Sequence, residues 1–196
     1  MTLAPASPLR LDADHRYWLQ DRELISVTTA LKEAGLIDTA FFTEDAADRG
    51  TYVHAACELV DRDELGDVDQ ACAGYIAAYQ QFVADAKPVW DLTEEGVCDP
   101  VRGYAGTFDR SCILQDQWIV LDIKTGPPAP WHGAQLAAYA RLIPNGDGLK
   151  PRRFDLYVRA DRTYRLEPQT DRADESLFFA ALQIAQFRRT HGYRTR

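Results

Sequence analysis

Tyr104-Ala105-Gly106-Thr107-Phe108-Asp109-Arg110-Ser111-Cys112-Ile113-Leu114, then Gln115-Asp116, then Gln117-Trp118-Ile119-Val120-Leu121-Asp122-Ile123-Lys124, is the stretch on which the reading of this chain turns. Two runs rich in β-branched and aromatic residues around a short polar break read as paired strands. If Gln115-Asp116 forms a two-residue turn, Leu114 faces Gln117 and, counting back, Asp109 lies opposite Asp122. Cross-strand partners sit about 4.5–5.5 Å apart. Side chains alternate along a strand, so Asp122 and Lys124 share a face, and Asp109 falls on that face too. Two carboxylates and one ammonium group then converge on one patch.

That convergence calls for a cause. Aspartate is disfavoured in strands, and facing carboxylates raise one pKa unless positive charge sits between them. A divalent cation supplies it: Mg²⁺ takes hard oxygen ligands, usually one or two carboxylates, with water and substrate phosphate completing its shell. Ile123 points into the core, yet its backbone carbonyl can reach the same ion. Lys124 can hold an attacking water or neutralise charge on a phosphorane-like transition state. The competing reading is a surface hairpin whose Asp109 and Lys124 form a plain ion pair, and a three-residue loop would slide Asp109 off its partner.

Upstream, Arg16 to Ile25 reads as a short hairpin turning near Asp21-Arg22. Ser26 caps a helix through Val27, Ala30, Leu31 and Ala34, stopped by Gly35. A second helix runs from about Thr43 to Val60 with Gly50 in its middle, and a third from about Asp69 to Asp85, ended by Lys87-Pro88. Leu92 to Cys98 is a strand ahead of the hairpin. Downstream come a helix over Gly133–Ile143 broken by Pro144-Asn145-Gly146, strands at Arg153–Arg159 and Tyr164–Leu166, and an amphipathic helix from about Ala173 to Arg189. Helices, three strands, a helix, strands and a helix describe an α/β domain around a central mixed β-sheet flanked by helices.

The 196 residues are 46% hydrophobic and 27% charged, proportions that suit a folded globular chain. No apolar run is long enough to span a bilayer, and Met1 to Arg10 lacks the apolar core of a secretion signal. The expected location is therefore cytoplasmic, in a bacterial or phage-infected cell. Cys57, Cys72, Cys98 and Cys112 form no CxxC pair, which argues for buried thiols over a zinc or redox motif. A net charge of −8 argues against coating nucleic acid by bulk attraction. Local basic character survives at the end: after Glu175 there is no acid, while Arg188, Arg189, Arg194 and Arg196 follow. These are candidates for phosphate contact, or else complements to a helix C-terminal dipole.

Taken in order, these segments resemble the RecB-type, phage-exonuclease-like branch of the PD-(D/E)XK nuclease superfamily. Gly106-Thr107-Phe108-Asp109 followed by Asp122-Ile123-Lys124-Thr125-Gly126 is similar to its catalytic hairpin. Arg49-Gly50-Thr51-Tyr52-Val53-His54, with Glu58 one turn on, resembles the helix that supplies a metal-binding histidine. Gln135-Leu136-Ala137-Ala138-Tyr139 resembles its Q-x-x-x-Y helix, and Leu24-Ile25-Ser26-Val27-Thr28 the "SVT" start of phage-type and mitochondrial genome maintenance exonucleases. The likeness spans Ser26 to Tyr139. It departs in lacking the proline of the superfamily's name, since Phe108 precedes Asp109, and in lacking iron–sulfur cysteines, so no iron–sulfur cluster is expected.

The resemblance implies a restriction-endonuclease-like core filling residues 1–196 as a single nuclease domain. Its helical part would cover about 26–86, its catalytic sheet about 91–167 and its C-terminal helix about 173–189. It implies metal ligation by His54, Asp109, Asp122 and the Ile123 carbonyl, with Lys124 as the catalytic lysine. Gln135 and Tyr139 would orient that lysine or contact DNA. Glu58 and Glu95 are additional acidic candidates, and Trp131, Arg188 and Arg189 are candidates for substrate contact. For His132, beside Trp131, an exposed loop position is the stronger reading.

The implied activity is Mg²⁺- or Mn²⁺-dependent hydrolysis of DNA phosphodiesters, most readily from an end, with one or two ions equally compatible. A membrane is not among the expected partners, and a homo-oligomer or a recombination or repair partner stays open. The alternative is a non-catalytic nucleic-acid-binding or assembly module on the same fold. Glycoside hydrolysis by paired carboxylates fits poorly, because Lys124 has no role there.

Overall fold

The computed structural model describes residues 9–38, 43–143 and 149–193. Its strands are β1 (Arg10–Leu11), β2 (Tyr17–Leu19), β3 (Arg22–Ser26), β4 (Val89–Asp99), β5 (Tyr104–Leu114), β6 (Gln117–Lys124), β7 (Arg152–Val158) and β8 (Tyr164–Pro168). Its helices are α1 (Val27–Glu33), α2 (Glu44–Asp61), α3 (Ala73–Ala86), α4 (His132–Leu142) and α5 (Asp174–His191). They build one mixed sheet in the order β1-β2-β3-β5-β6-β7-β8, with β4 paired to β5. The β3–β5 and β6–β7 pairs are parallel and the other pairs antiparallel. The expected mixed sheet with flanking helices is therefore present. The expectations for Pro144-Asn145-Gly146, Arg194 and Arg196 lie outside the described residues.

Local chemistry accounts for the element ends. Ser26 Oγ accepts the Thr29 N–H at 3.0 Å and caps α1, and Thr43 caps α2 in the same way through Ala46. Gly35, at φ +82°, takes the left-handed position after α1 that a side chain would resist. The third helix begins at Ala73, not at Asp69. The Asp69 carboxylate accepts the Ala71 N–H, and the Cys72 N–H closes a turn back to the Asp69 carbonyl.

The decisive hairpin has the expected register. Leu114 pairs with Gln117 and Arg110 with Leu121. Gln115 and Asp116 both have positive φ, 49° and 59°, the geometry of a two-residue turn that follows the strand twist. β4 runs along one edge of β5 from Tyr104 to Ile113. The opposite edge is shared: β3 holds Tyr104 and Ala105, while β6 holds Arg110 to Leu114. Between them Gly106-Thr107-Phe108-Asp109 pairs with no described strand on that edge, so the sheet forks there.

Two apolar cores lie on either side. One joins α1, α4 and α5 to Tyr104, Phe108 and Val120. The other joins α2 and α3 to Cys112, Leu121, Ile123 and Leu156. Ile119, Leu121 and Ile123 thus face α2 and α3, while Val120, and with it Asp122 and Lys124, faces α4. Gly106 is required where it stands: a Cβ there would lie 2.6 Å from Cε1 of Tyr139 on α4.

Candidate metal centre and its lysine

The site occupies the fork. One step past the Arg110–Leu121 pair, the Asp109 side chain takes over from the backbone: its Oδ2 accepts the Ile123 N–H at 2.6 Å. Asp109 is 7% exposed and Asp122 4%, which removes the reading of a surface hairpin. Lys124 pairs with Asp122, Nζ to Oδ2 at 2.5 Å, and not with Asp109.

From the α2 side, His54 Nδ1 lies 3.4 Å from Asp109 Oδ1. Glu94, on β4, completes a trio: one ligand atom each from His54, Glu94 and Asp109 lie within 4.8 Å of one another. A nitrogen and two carboxylate oxygens at such separations suit a divalent cation. From the α4 side, Gln135 Oε1 accepts from Lys124 Nζ at 2.7 Å, and Gln135 Nε2 reaches Tyr139 Oη at 3.5 Å. The Trp131 ring centroid lies 5.2 Å from the same ammonium nitrogen. Three groups on or next to α4 therefore fix one lysine.

The electrostatics of the site reflect how closely its charges are packed. Burial opposes charge on His54, yet Asp109, with Asp122 and Glu94 beyond it, raises its pKa to about 9. Burial drives Asp122 up to about 7, with Asp109 and Asp155 adding to the shift and Lys124 opposing it. Burial and Asp109 lift Glu94 to about 6 against the pull of Arg110. Asp109 remains below the usual carboxylate range although burial works against it, because His54, the Ile123 N–H and Lys124 favour its charge. Burial and the crowding of these acids account for the raised values.

The other residues singled out from sequence lie as follows. Glu58 pairs with Arg62 one turn on. Glu95 is exposed; its neighbour Glu94 is the acid at the site. Arg188 donates to the Glu33 carbonyl, and Arg189 pairs with Glu33 at 2.8 Å and Glu23 at 3.0 Å. Both arginines therefore tie α5 to α1 and β3. His132 is a correction: it is buried as the first residue of α4, with Nδ1 2.9 Å from Tyr157 Oη, and burial with Lys124 lowers its pKa to about 3.

Sequence reasoning overlooked Glu94, Arg110 and Asp155. Choosing Glu94 over Glu95 required the β4–β5 register, in which Thr93 faces Arg110 and Glu95 faces Phe108, leaving Glu94 opposite Asp109. Arg110 did leave a signal, as an arginine in alternation with Cys112 and Leu114, both of which lie in the α2–α3 core. Asp155, fully buried and paired in register with Asp122, was masked by the apolar run of β7.

No family model matches the chain, and no curated protein matches it. Among solved structures it is similar to an alkaline exonuclease, LHK-Exo, from Laribacter hongkongensis, at 13% identity over 86% of this chain and 93% of that one, with a TM-score of 0.40. It is also similar to SSO0001, at 15% identity over 82% of this chain and 83% of that one, with a TM-score of 0.36. Likenesses of this size carry no argument about chemistry. No helix among the described residues is long and apolar enough to cross a membrane.

Proposed function

We propose that the protein is a nuclease that hydrolyses DNA phosphodiesters with Mg²⁺ or Mn²⁺ held at the fork, acting as an exonuclease within a single nuclease domain. The observation that carries this reading is the meeting of half-buried His54 and Glu94 and buried Asp109 with the Asp122–Lys124 pair in one cluster. A histidine nitrogen and several carboxylates this close suit a divalent ion, and their crowding is what raises the pKa values of His54 and Asp122. His54, Glu94, Asp109, Asp122 and the Ile123 carbonyl would hold the metal. A divalent ion bound there would supply Lewis-acid stabilisation of phosphate oxygen and a more acidic water.

The chain's own residues supply the rest. Lys124 presents an ammonium group toward the acids, where it can hold a water in line with phosphorus or offset charge on the phosphoryl oxygens. Gln135 fixes the rotamer of Lys124, Tyr139 backs Gln135, and Trp131 covers the ammonium group. Trp131 is half-buried against that lysine, which suits a role in placing it over a role in stacking on a base.

The alternative of a non-catalytic module finds no favour in the geometry. A site without an ion to bind has no reason to keep buried acids this close. The test is cleavage of labelled linear DNA with Mn²⁺, then with chelator, by wild type, Asp122→Ala and Lys124→Ala. Loss of cleavage in both folded variants and with chelator is expected; undiminished cleavage in either variant removes the proposal.

A further inference from the structure

We infer that Arg110 is a positioning residue that aims Glu94 and Asp109 at the ion site, held in place by Asp61 and Tyr79. The inference rests on the metal-centre reading above. Arg110 is fully buried, which makes it an expensive side chain to place in the α2–α3 core. Its donors are spread over separate elements. Nε donates to Asp61 Oδ2 at 2.7 Å, at the end of α2. Nη1 donates to Glu94 Oε1 at 2.9 Å on β4 and to the Asp109 carbonyl at 2.7 Å on its own strand. Asp61 is fixed in turn by Tyr79 of α3, whose hydroxyl lies 2.8 and 2.9 Å from its two oxygens.

Glu94 needs this hold. Within β4 it adopts φ +49°, a left-handed backbone that a residue with a side chain occupies only when its surroundings impose it. The Arg110 bond engages Oε1 and fixes how the Glu94 carboxylate is turned toward His54 and Asp109. The planar guanidinium can serve three acceptors on two strands and a helix at once, and an ammonium group cannot match that fork. The same α2 that carries His54 ends at Asp61, so the Tyr79–Asp61–Arg110 chain couples the place of the histidine helix to that of the two acids.

The test is calorimetric titration of the metal-free protein with Mn²⁺, together with thermal melting. Arg110→Lys and Tyr79→Phe are compared with wild type, and Arg110→Lys is repeated in a Glu94→Gln background. Loss of a group that orients a ligand typically weakens metal binding about 10- to 100-fold. We expect that range for Arg110→Lys, a smaller loss for Tyr79→Phe, and a reduced Arg110→Lys effect once Glu94 is Gln, the share exerted through Asp109 remaining. A merely structural role would lower the melting temperature and leave the Mn²⁺ affinity of the folded protein unchanged, which would overturn the inference. So would an equal loss in both backgrounds. Should Arg110→Lys fail to fold, unchanged affinity in Tyr79→Phe overturns it equally. A wild type that fails to bind Mn²⁺ removes the metal-centre reading itself.

Discussion

The two sides of the fork differ in how their charge is balanced. On the α2 side, His54, Glu94 and Asp109 bring ligand atoms together, and the nearby acids raise the His54 pKa to about 9. On the α4 side, Asp122 has its own cation in Lys124, which Gln135 and Trp131 hold in place. On the proposed reading, one half receives a metal ion and the other presents an ammonium group. Phosphodiester hydrolysis would use both, so the halves should separate under mutation. Losing a cation-accepting ligand should remove metal binding and cleavage together. Losing the lysine should remove cleavage alone.

The largest expected effect is on turnover. Lys124→Met should reduce DNA cleavage by about 100- to 1,000-fold, the scale for removing one preorganised charge donor, while calorimetry finds Mn²⁺ bound as in wild type. Metal affinity lost along with cleavage would erase the distinction between the two sides. Next comes metal affinity: His54→Ala and Asp109→Asn should each weaken Mn²⁺ by at least about tenfold, and tight binding in either would remove that residue from the ligand set. Glu94→Gln should follow them, whereas Glu95→Gln, on the exposed neighbour, should not.

A smaller effect lies in stability against pH. His54 is raised from 6.5 to about 9, so its contribution is complete below about pH 6.5 and is lost as pH climbs through 9. Glu94, raised from 4.5 to about 6, and Asp122, raised from 3.8 to about 7, prefer their neutral forms in the fold. Their contributions are complete below their ordinary pKa values and are lost as pH rises through the shifted ones. The Glu94 share is spent by about pH 6, while Asp122 and His54 slope the same way above it, so the metal-free protein should melt at falling temperature from about pH 6 to 9. Saturating Mn²⁺ should flatten that fall, because it binds the deprotonated set. A metal-free melting temperature that rises over this range would contradict the charge balance drawn for the α2 side. Smaller again is Gly106→Ala, whose methyl meets Tyr139 and Val27. A loss of about 1–3 kcal/mol is expected from overpacking, read by denaturant unfolding, and no loss would mean the Tyr139 ring is loosely held.

Much of this was legible in one dimension. The hairpin register followed from a two-residue turn, because the period-2 alternation of a strand leaves one alignment once the turn is set. The helices followed from their caps and apolar spacing, and the i, i+4 relation of Gln135 and Tyr139 was bound to place them on one face of α4. What the sequence could not settle was everything that depends on a third strand or a second layer. Glu94 and Glu95 are chemically alike and adjacent; only the pairing of β4 with β5 decides which faces Asp109. Arg188 and Arg189 look like free basic charge until α5 packs on α1 and Glu33 comes within reach. Nothing in the spacing of His54 and Arg110 links them, yet both close on Asp109, one through its carboxylate and one through its carbonyl. Local periodicity specifies which face a side chain occupies. Whether two such faces meet is decided by the packing of helices from both layers into a gap in the sheet, which no local pattern encodes.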